Sequence, residues 1–257
     1  MPSIHHPGLN RAARNQPMLG QAKTAPQAKI APLARRLAAE ALGSLALTAI
    51  VVGSGIAAQT LSPTDVGLQL AENAVVTAFG LFALIVVLGP LSGAHFNPVV
   101  TLADAIFGSR PRREILSYSI AQTVGCIAGA VLANLMFNRA GISISVHERA
   151  TPAHFLAEIV ATAGLIVVIF TLVRAGREQF AAPAVATYIG AAYFFTSSTS
   201  FANPAITIGR MFSDSFAGIA PTSVPGYVAA QLIGALSGCI IVKFLYPQAT
   251  TPASAPG

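Results

Sequence analysis

The chain has no tryptophan, only two cysteines and little charge, with 9% of its 257 residues being Asp, Glu, Lys or Arg. A soluble globular domain carries about 25% charged residues. This shortage, beside 54% hydrophobic residues and a mean hydropathy of +0.66, excludes a soluble enzyme, a disordered chain and a nucleic-acid reader. Cys126 and Cys239 each lie inside an apolar run, so they suggest neither a disulfide framework nor a ligand cluster. No His/Cys/Glu grouping has metal-ligand spacing, and neither a metal nor another cofactor is expected. The net charge of +6 does not point to nucleic acid either. The basic residues sit in short tracts between apolar runs, where in a membrane protein they report orientation.

What the chain does have is long apolar segments. A helix needs about 20 apolar residues to cross about 30 Å of hydrocarbon. Six stretches qualify, near 35–57, 72–91, 115–137, 154–173, 182–200 and 224–246. Residues 1–34 are polar and basic with prolines at 2, 7, 17, 26 and 32. They read as a disordered cytoplasmic tail and, lacking an apolar core, not as a cleavable signal peptide. Residues 247–257 read as a second loose tail. Of the 15 Lys and Arg, 12 fall on one side if both termini are cytoplasmic, leaving Arg139, Arg149 and Arg210 on the other. That bias predicts a multi-pass protein of the inner cell membrane with both ends inside.

The sequence repeats itself. Tyr118, Gln122, Gly125 and Gly129 recur 109 positions later as Tyr227, Gln231, Gly234 and Gly238. Asn97-Pro98 recurs 106 positions later as Asn203-Pro204, and Ala39-Glu40, which opens the first span, recurs as Ala157-Glu158, which opens the fourth. The halves run 35–137 and 154–246, joined by an outer connection at 138–153. Each holds three spans, an odd number, so the second copy is inverted relative to the first, and a substrate pathway belongs at the repeat interface. The glycines four apart allow close helix crossing.

Asn97-Pro98-Val99 and Asn203-Pro204-Ala205 each open a short apolar segment. Asn is a good N-cap and Pro suits the first helical position. About ten residues of helix cover roughly 15 Å, half the hydrocarbon. Two re-entrant half-helices follow, one from each side, with their N-termini meeting near the midplane. Opposed N-termini make a positive barrier to cations and protons, and the two Asn amides can donate hydrogen bonds to a neutral solute. The expected fold is an all-α membrane protein of six transmembrane helices and two half-helices.

On Ser92–Leu102 (SGAHFNPVVTL), on Phe201–Ala205 (FANPA) and on the repeated Glu and Tyr-Gln-Gly elements, residues 35–246 resemble the aquaporin, or major intrinsic protein, family. The resemblance implies passive conduction of water or small neutral solutes, no enzyme activity, and a homotetramer in the bilayer with one pore per subunit. The first signature departs by carrying Val99 in place of Ala. In the family an Arg usually follows the second signature and forms the outer selectivity filter; here Ile206 stands there. Counting from the signatures without gaps, the other filter positions fall on Thr77, Ala191 and Ser200. Loss of the Arg removes a fixed charge and several donors. The resulting expectation is a wider, less polar constriction passing glycerol-like polyols, urea or metalloid hydroxides such as arsenous acid. A strict water channel and a coupled secondary transporter are the alternatives, although no midplane carboxylate pair suggests coupling-ion ligands.

Arg210, one turn beyond Ile206, has two readings. It either projects charge into the outer vestibule or anchors at the membrane interface and pairs with Asp214, which is the favoured reading. Glu40 and Glu158 are costly within a membrane unless hydrogen-bonded and are expected to accept from the re-entrant loops. His95 is expected to brace the first half-helix, with a pH gate as the alternative.

Overall fold

The structure, a computed structural model, describes residues 31–247. Both expected tails lie outside the described residues, apart from residues 31–34 and 247 at their edges. Among the described residues there is no strand, and eight α-helices follow one another: α1 (Leu33–Leu61), α2 (Val66–Ser92), α3 (Pro98–Ile106), α4 (Ile115–Met136), α5 (Pro152–Arg174), α6 (Ala181–Phe195), α7 (Pro204–Gly209) and α8 (Val224–Leu245). Helices α3 and α7 are the two short ones that open at Asn97 and Asn203. Large apolar side chains such as Phe79, Val87, Leu116 and Phe244 point outward. A water-facing surface rarely presents so continuous an apolar belt, whereas lipid accommodates it.

Three spans differ in extent from the hydropathy expectation, the first by running on to Leu61, four residues past its expected end. Helix α2 starts at Val66, six residues before the apolar run, because Asp65 caps it by accepting from the Leu68 N–H at 2.9 Å. Its polar residues are then satisfied sideways. Gln69 donates to the Ser62 carbonyl at 2.8 Å and Asn73 to the Val51 carbonyl at 2.9 Å. Helix α6 stops at Phe195 instead of residue 200 because Thr196 is already extended, and the positive φ of Thr199, Ser200 and Ala202 keeps a right-handed helix from resuming there. Its 15 residues give about 22 Å of rise.

The halves pack by the same scheme. Helix α1 lies on α2 and α4, and α5 lies on α6 and α8, while α2 meets α6 between the halves. The α1–α4 and α5–α8 crossings are set by glycine. A Cβ on Gly125 or Gly129 would run into the Ala41 or Leu45 carbonyl, and one on Gly234 or Gly238 into the Ile159 or Ala163 carbonyl. Only hydrogen at these positions lets the backbones approach so closely. Helix α3 leads to the face of the bundle where α1 starts, since Glu114 there bonds Arg36 at 2.7 Å. Helix α7 leads to the opposite, far face, where Ala217 packs on Gly55 of α1. The half-helices therefore run outward from a shared centre.

Candidate functional site

The segments before α3 and α7 carry matching backbone distortions. Ala94 and Phe96 have φ of 48° each, and Ser200 and Ala202 have φ of 51° and 46°. Left-handed non-glycine residues cost about 1–3 kcal/mol apiece and persist only where the surroundings hold them. Here a buried carboxylate holds each segment. Glu40 accepts from the His95 N–H at 3.0 Å, the Phe96 N–H at 2.7 Å and the Ser92 hydroxyl at 2.6 Å. Glu158 accepts from the Phe201 N–H at 2.9 Å and the Ala202 N–H at 2.8 Å. A glutamine ties each carboxylate to its half-helix. Gln122 donates to Glu40 at 2.8 Å and to Thr101 at 3.0 Å, and Gln231 donates to Glu158 at 2.6 Å and to Thr207 at 2.9 Å. Several charge-assisted donors offset the cost of burying each carboxylate.

Asn97 and Asn203 cap their helices and lock the halves together. The Asn97 side-chain oxygen accepts from the Val99 N–H at 3.1 Å, and its amide donates to the Ala202 carbonyl at 2.8 Å. The Asn203 oxygen accepts from the N–H groups of Ala205 at 3.0 Å and Ile206 at 3.2 Å, and its amide donates to the Phe96 carbonyl at 2.7 Å. The accepting carbonyls belong to the left-handed residues. Pro98 and Pro204 occupy first helical positions, while Val99 and Ala205 are fully buried beside them. Each Asn amide has a second N–H, and both side chains line a cavity of about 540 Å³ between the halves.

That cavity extends from Glu178 and Asp104 at the face where α1 starts to Tyr193 and Arg210 near the far face. Apolar side chains such as Leu81, Val100, Leu165 and Ile189 form most of its wall. Thr77, Ser200 and Ile206 line its far half. Ala191 does not: it is exposed on the outer surface of α6, and Val185, Ile189 and Tyr193 form the inward stripe. Counting back from Asn203 without gaps misplaces the residue, because the left-handed segment 199–202 breaks the register between α7 and α6. Tyr193 stands there instead, its hydroxyl donating to the Thr77 hydroxyl at 3.2 Å. The i, i+4, i+8 spacing of Val185, Ile189 and Tyr193 was the signal for this stripe.

Arg210 is not an interface anchor paired with Asp214. Only 2% of its surface is exposed, its Nε donates to the Ala217 carbonyl, and its guanidinium lies 3.4 Å from the centre of the Phe201 ring. Asp214 turns the other way, accepting from the Val146 N–H at 3.2 Å with His147 at 3.8 Å. The cause is local geometry. Helical side chains lean toward the N-terminus, so Arg210 reaches back over the Ile206 face into the cavity.

His95 stands beside the first half-helix, its Nδ1 at 3.0 Å from the Thr101 hydroxyl and its Nε2 at 3.5 Å from Asp104. Arg110, read from sequence only as a topology charge, joins this end of the cavity. It bonds Asp104 at 3.0 Å and the Ser92 carbonyl at 3.2 Å and stacks 4.1 Å over Tyr118. Among the described residues no three metal-ligating side chains gather.

Two inverted halves, each contributing an asparagine-capped half-helix to one cavity across an apolar bundle, define a membrane channel. The major intrinsic protein family matches residues 27–202 and 181–256, and the chain belongs to that family. It is a multi-pass membrane channel for water and small solutes, not an enzyme. It is 46% identical over 231 residues to the aquaglyceroporin AqpS of Rhizobium meliloti (strain 1021), covering 87% of this chain and 98% of that one. It is 30% identical over 229 residues to aquaporin Z of Brucella melitensis biotype 1, covering 82% and 97%. Its fold is similar to that of the aquaglyceroporin from Plasmodium falciparum, with a TM-score of 0.65 and 18% identity over 82% of this chain and 96% of the other.

Proposed function

We propose that the chain conducts water and small uncharged solutes of the size of glycerol, urea or arsenous acid passively across the inner cell membrane. The observation that carries this reading is the facing pair of Asn97 and Asn203, with both side chains on the cavity and the half-helix N-termini opposed. A solute oxygen arriving there meets amide donors midway along a passage whose wall is mostly apolar. A cation meets amide donors and the positive ends of two helices, so it loses its water without gaining acceptors. The full-length likeness to an aquaglyceroporin supports solutes larger than water.

Thr77, Ser200 and Ile206 form part of the filter toward the far face, with Tyr193 taking the place expected of Ala191. The excess of Lys and Arg on the side of both termini supports cytoplasmic ends, and the family resemblance supports a homotetramer. Purified protein in liposomes tests the reading by stopped-flow light scattering with sucrose, glycerol and urea as osmolytes. Fast water efflux under sucrose followed by re-swelling in glycerol or urea is the expected result, and arsenite uptake is the next assay. Solute movement that needs an ion gradient would overturn it.

A further inference from the structure

We infer that Arg210 is the specificity-determining residue of the far end of the cavity, supplying from one turn away the cation that Ile206 does not, and that Phe201 and Arg149 position it. This rests on the channel reading above. Arg210 shares a helix face with Ile206 and lines the cavity beside Tyr193. One of its donors is taken by the Ala217 carbonyl. The others have no acceptor among the described residues and belong to the cavity it lines. A guanidinium presents paired N–H groups in one plane, a match for two adjacent oxygens of a hydroxylated solute.

The segment after Arg210 is built to hold that side chain. Arg149, from the connection before α5, donates to the Phe216 carbonyl at 3.0 Å and the Gly218 carbonyl at 2.9 Å, while Arg210 takes the carbonyl of Ala217 between them. Two arginines thus grip three consecutive carbonyls of one turn, which the Gly218 N–H closes onto the Ser215 carbonyl at 2.8 Å. They also share the Phe201 ring, with Arg149 at 5.4 Å and Arg210 at 3.4 Å from its centre. At the other end of the cavity, Arg36 and Arg110 are neutralised by Glu114 and Asp104. Neither Arg149 nor Arg210 forms a salt bridge among the described residues. The far end of the cavity therefore keeps a net positive charge and free donors where the position after Asn203-Pro204-Ala205 carries an isoleucine.

The test measures the erythritol-to-water permeability ratio in liposomes. Arg210→Ala is expected to raise it about tenfold, a change equivalent to about 1.4 kcal/mol. Ile206→Arg in the Arg210→Ala background is expected to return it toward the wild-type value, because the cation is restored one turn inward. Arg149→Gln is expected to raise the ratio by a smaller factor in the wild type and not at all in the Arg210→Ala background, whereas a merely structural role would act equally in both. Arg210→Lys retains charge without the planar fork, gives an intermediate ratio, and carries the test if the alanine variant does not fold. An unchanged ratio in a water-conducting Arg210→Ala or Arg210→Lys protein would overturn the assignment and leave the channel reading intact. Absence of any uncharged-solute flux through the wild type would remove both.

Discussion

Asn97 and Asn203, 106 positions apart in the chain, each donate a side-chain amide to the loop that precedes the other, at 2.8 Å to Ala202 and 2.7 Å to Phe96. Each cap thereby does two jobs: its oxygen closes its own helix and its nitrogen holds the opposite loop. Asn97→Asp and Asn203→Asp keep the cap but place a carboxylate oxygen against a carbonyl. The expected outcome is loss of water flux together with a loss of stability of about 1–3 kcal/mol, the cost of a buried bond broken with its acceptor left unsatisfied, read as a lower thermal midpoint. Stopped-flow scattering and thermal unfolding in detergent measure the two effects.

Glu40 and Glu158 hold the left-handed segments, so Glu40→Gln and Glu158→Gln are expected to be costly despite equal size. A glutamine offers N–H groups where Phe96, Ala202 or the paired Gln122 and Gln231 already present donors. Breaking a buried charge-assisted network typically costs about 3 kcal/mol or more. Reduced yield of folded protein and loss of flux are expected for both; normal flux in either variant would refute the role given to that carboxylate.

The register of α6 separates two neighbouring residues. Ala191→His is expected to leave the glycerol-to-water ratio unchanged, because the side chain lies on the outer surface. Tyr193→Ala removes a ring from the cavity wall and its bond to Thr77, so glycerol and larger polyols should enter faster. A selectivity change in the Ala191 variant alone would mean that α6 is rotated from the arrangement described.

Ile206→Arg in the otherwise unchanged chain places a second guanidinium on the face that already carries Arg210. Like charges four apart on a helix repel, and the added bulk fills the constriction. Glycerol re-swelling is expected to fall by about tenfold or more, with water flux falling less; equal loss of both would indicate a blocked pore.

The helix crossings give a stability prediction. Gly125→Ala and Gly234→Ala drive a methyl group into the Ala41 and Ile159 carbonyls. Backbone must shift at a cost of about 1–3 kcal/mol or more, lowering the thermal midpoint and the yield. Gly53→Ala meets only the Phe137 ring, at 3.4 Å, and is expected to leave stability unchanged or slightly raised.

Much of this architecture was legible in the sequence because it is local or periodic. Asn followed by Pro is a helix start whatever surrounds it. Glycines four apart form a helix face, and runs of apolar residues of membrane length have few other uses. Repetition of these elements in one order implied two inverted halves, and the position of Glu40 and Glu158 ahead of each loop implied what they would bond. Other features depended on where the chain stops being helical. After α6 ends at Phe195 the chain enters a loop with positive φ at Thr199, Ser200 and Ala202, held by the distant Glu158 through the Phe201 and Ala202 N–H groups. Without that contact in view, residue counting puts Ala191 in the cavity and overlooks Tyr193. Arg210 is the second case. Its spacing from Asp214 fits an ion pair, and only the folded chain brings the Ala217 carbonyl and the Phe201 ring to it instead. Caps, turns and helix faces follow from neighbours within a few residues; the partner of a long charged side chain is whichever acceptor the tertiary fold places within its reach.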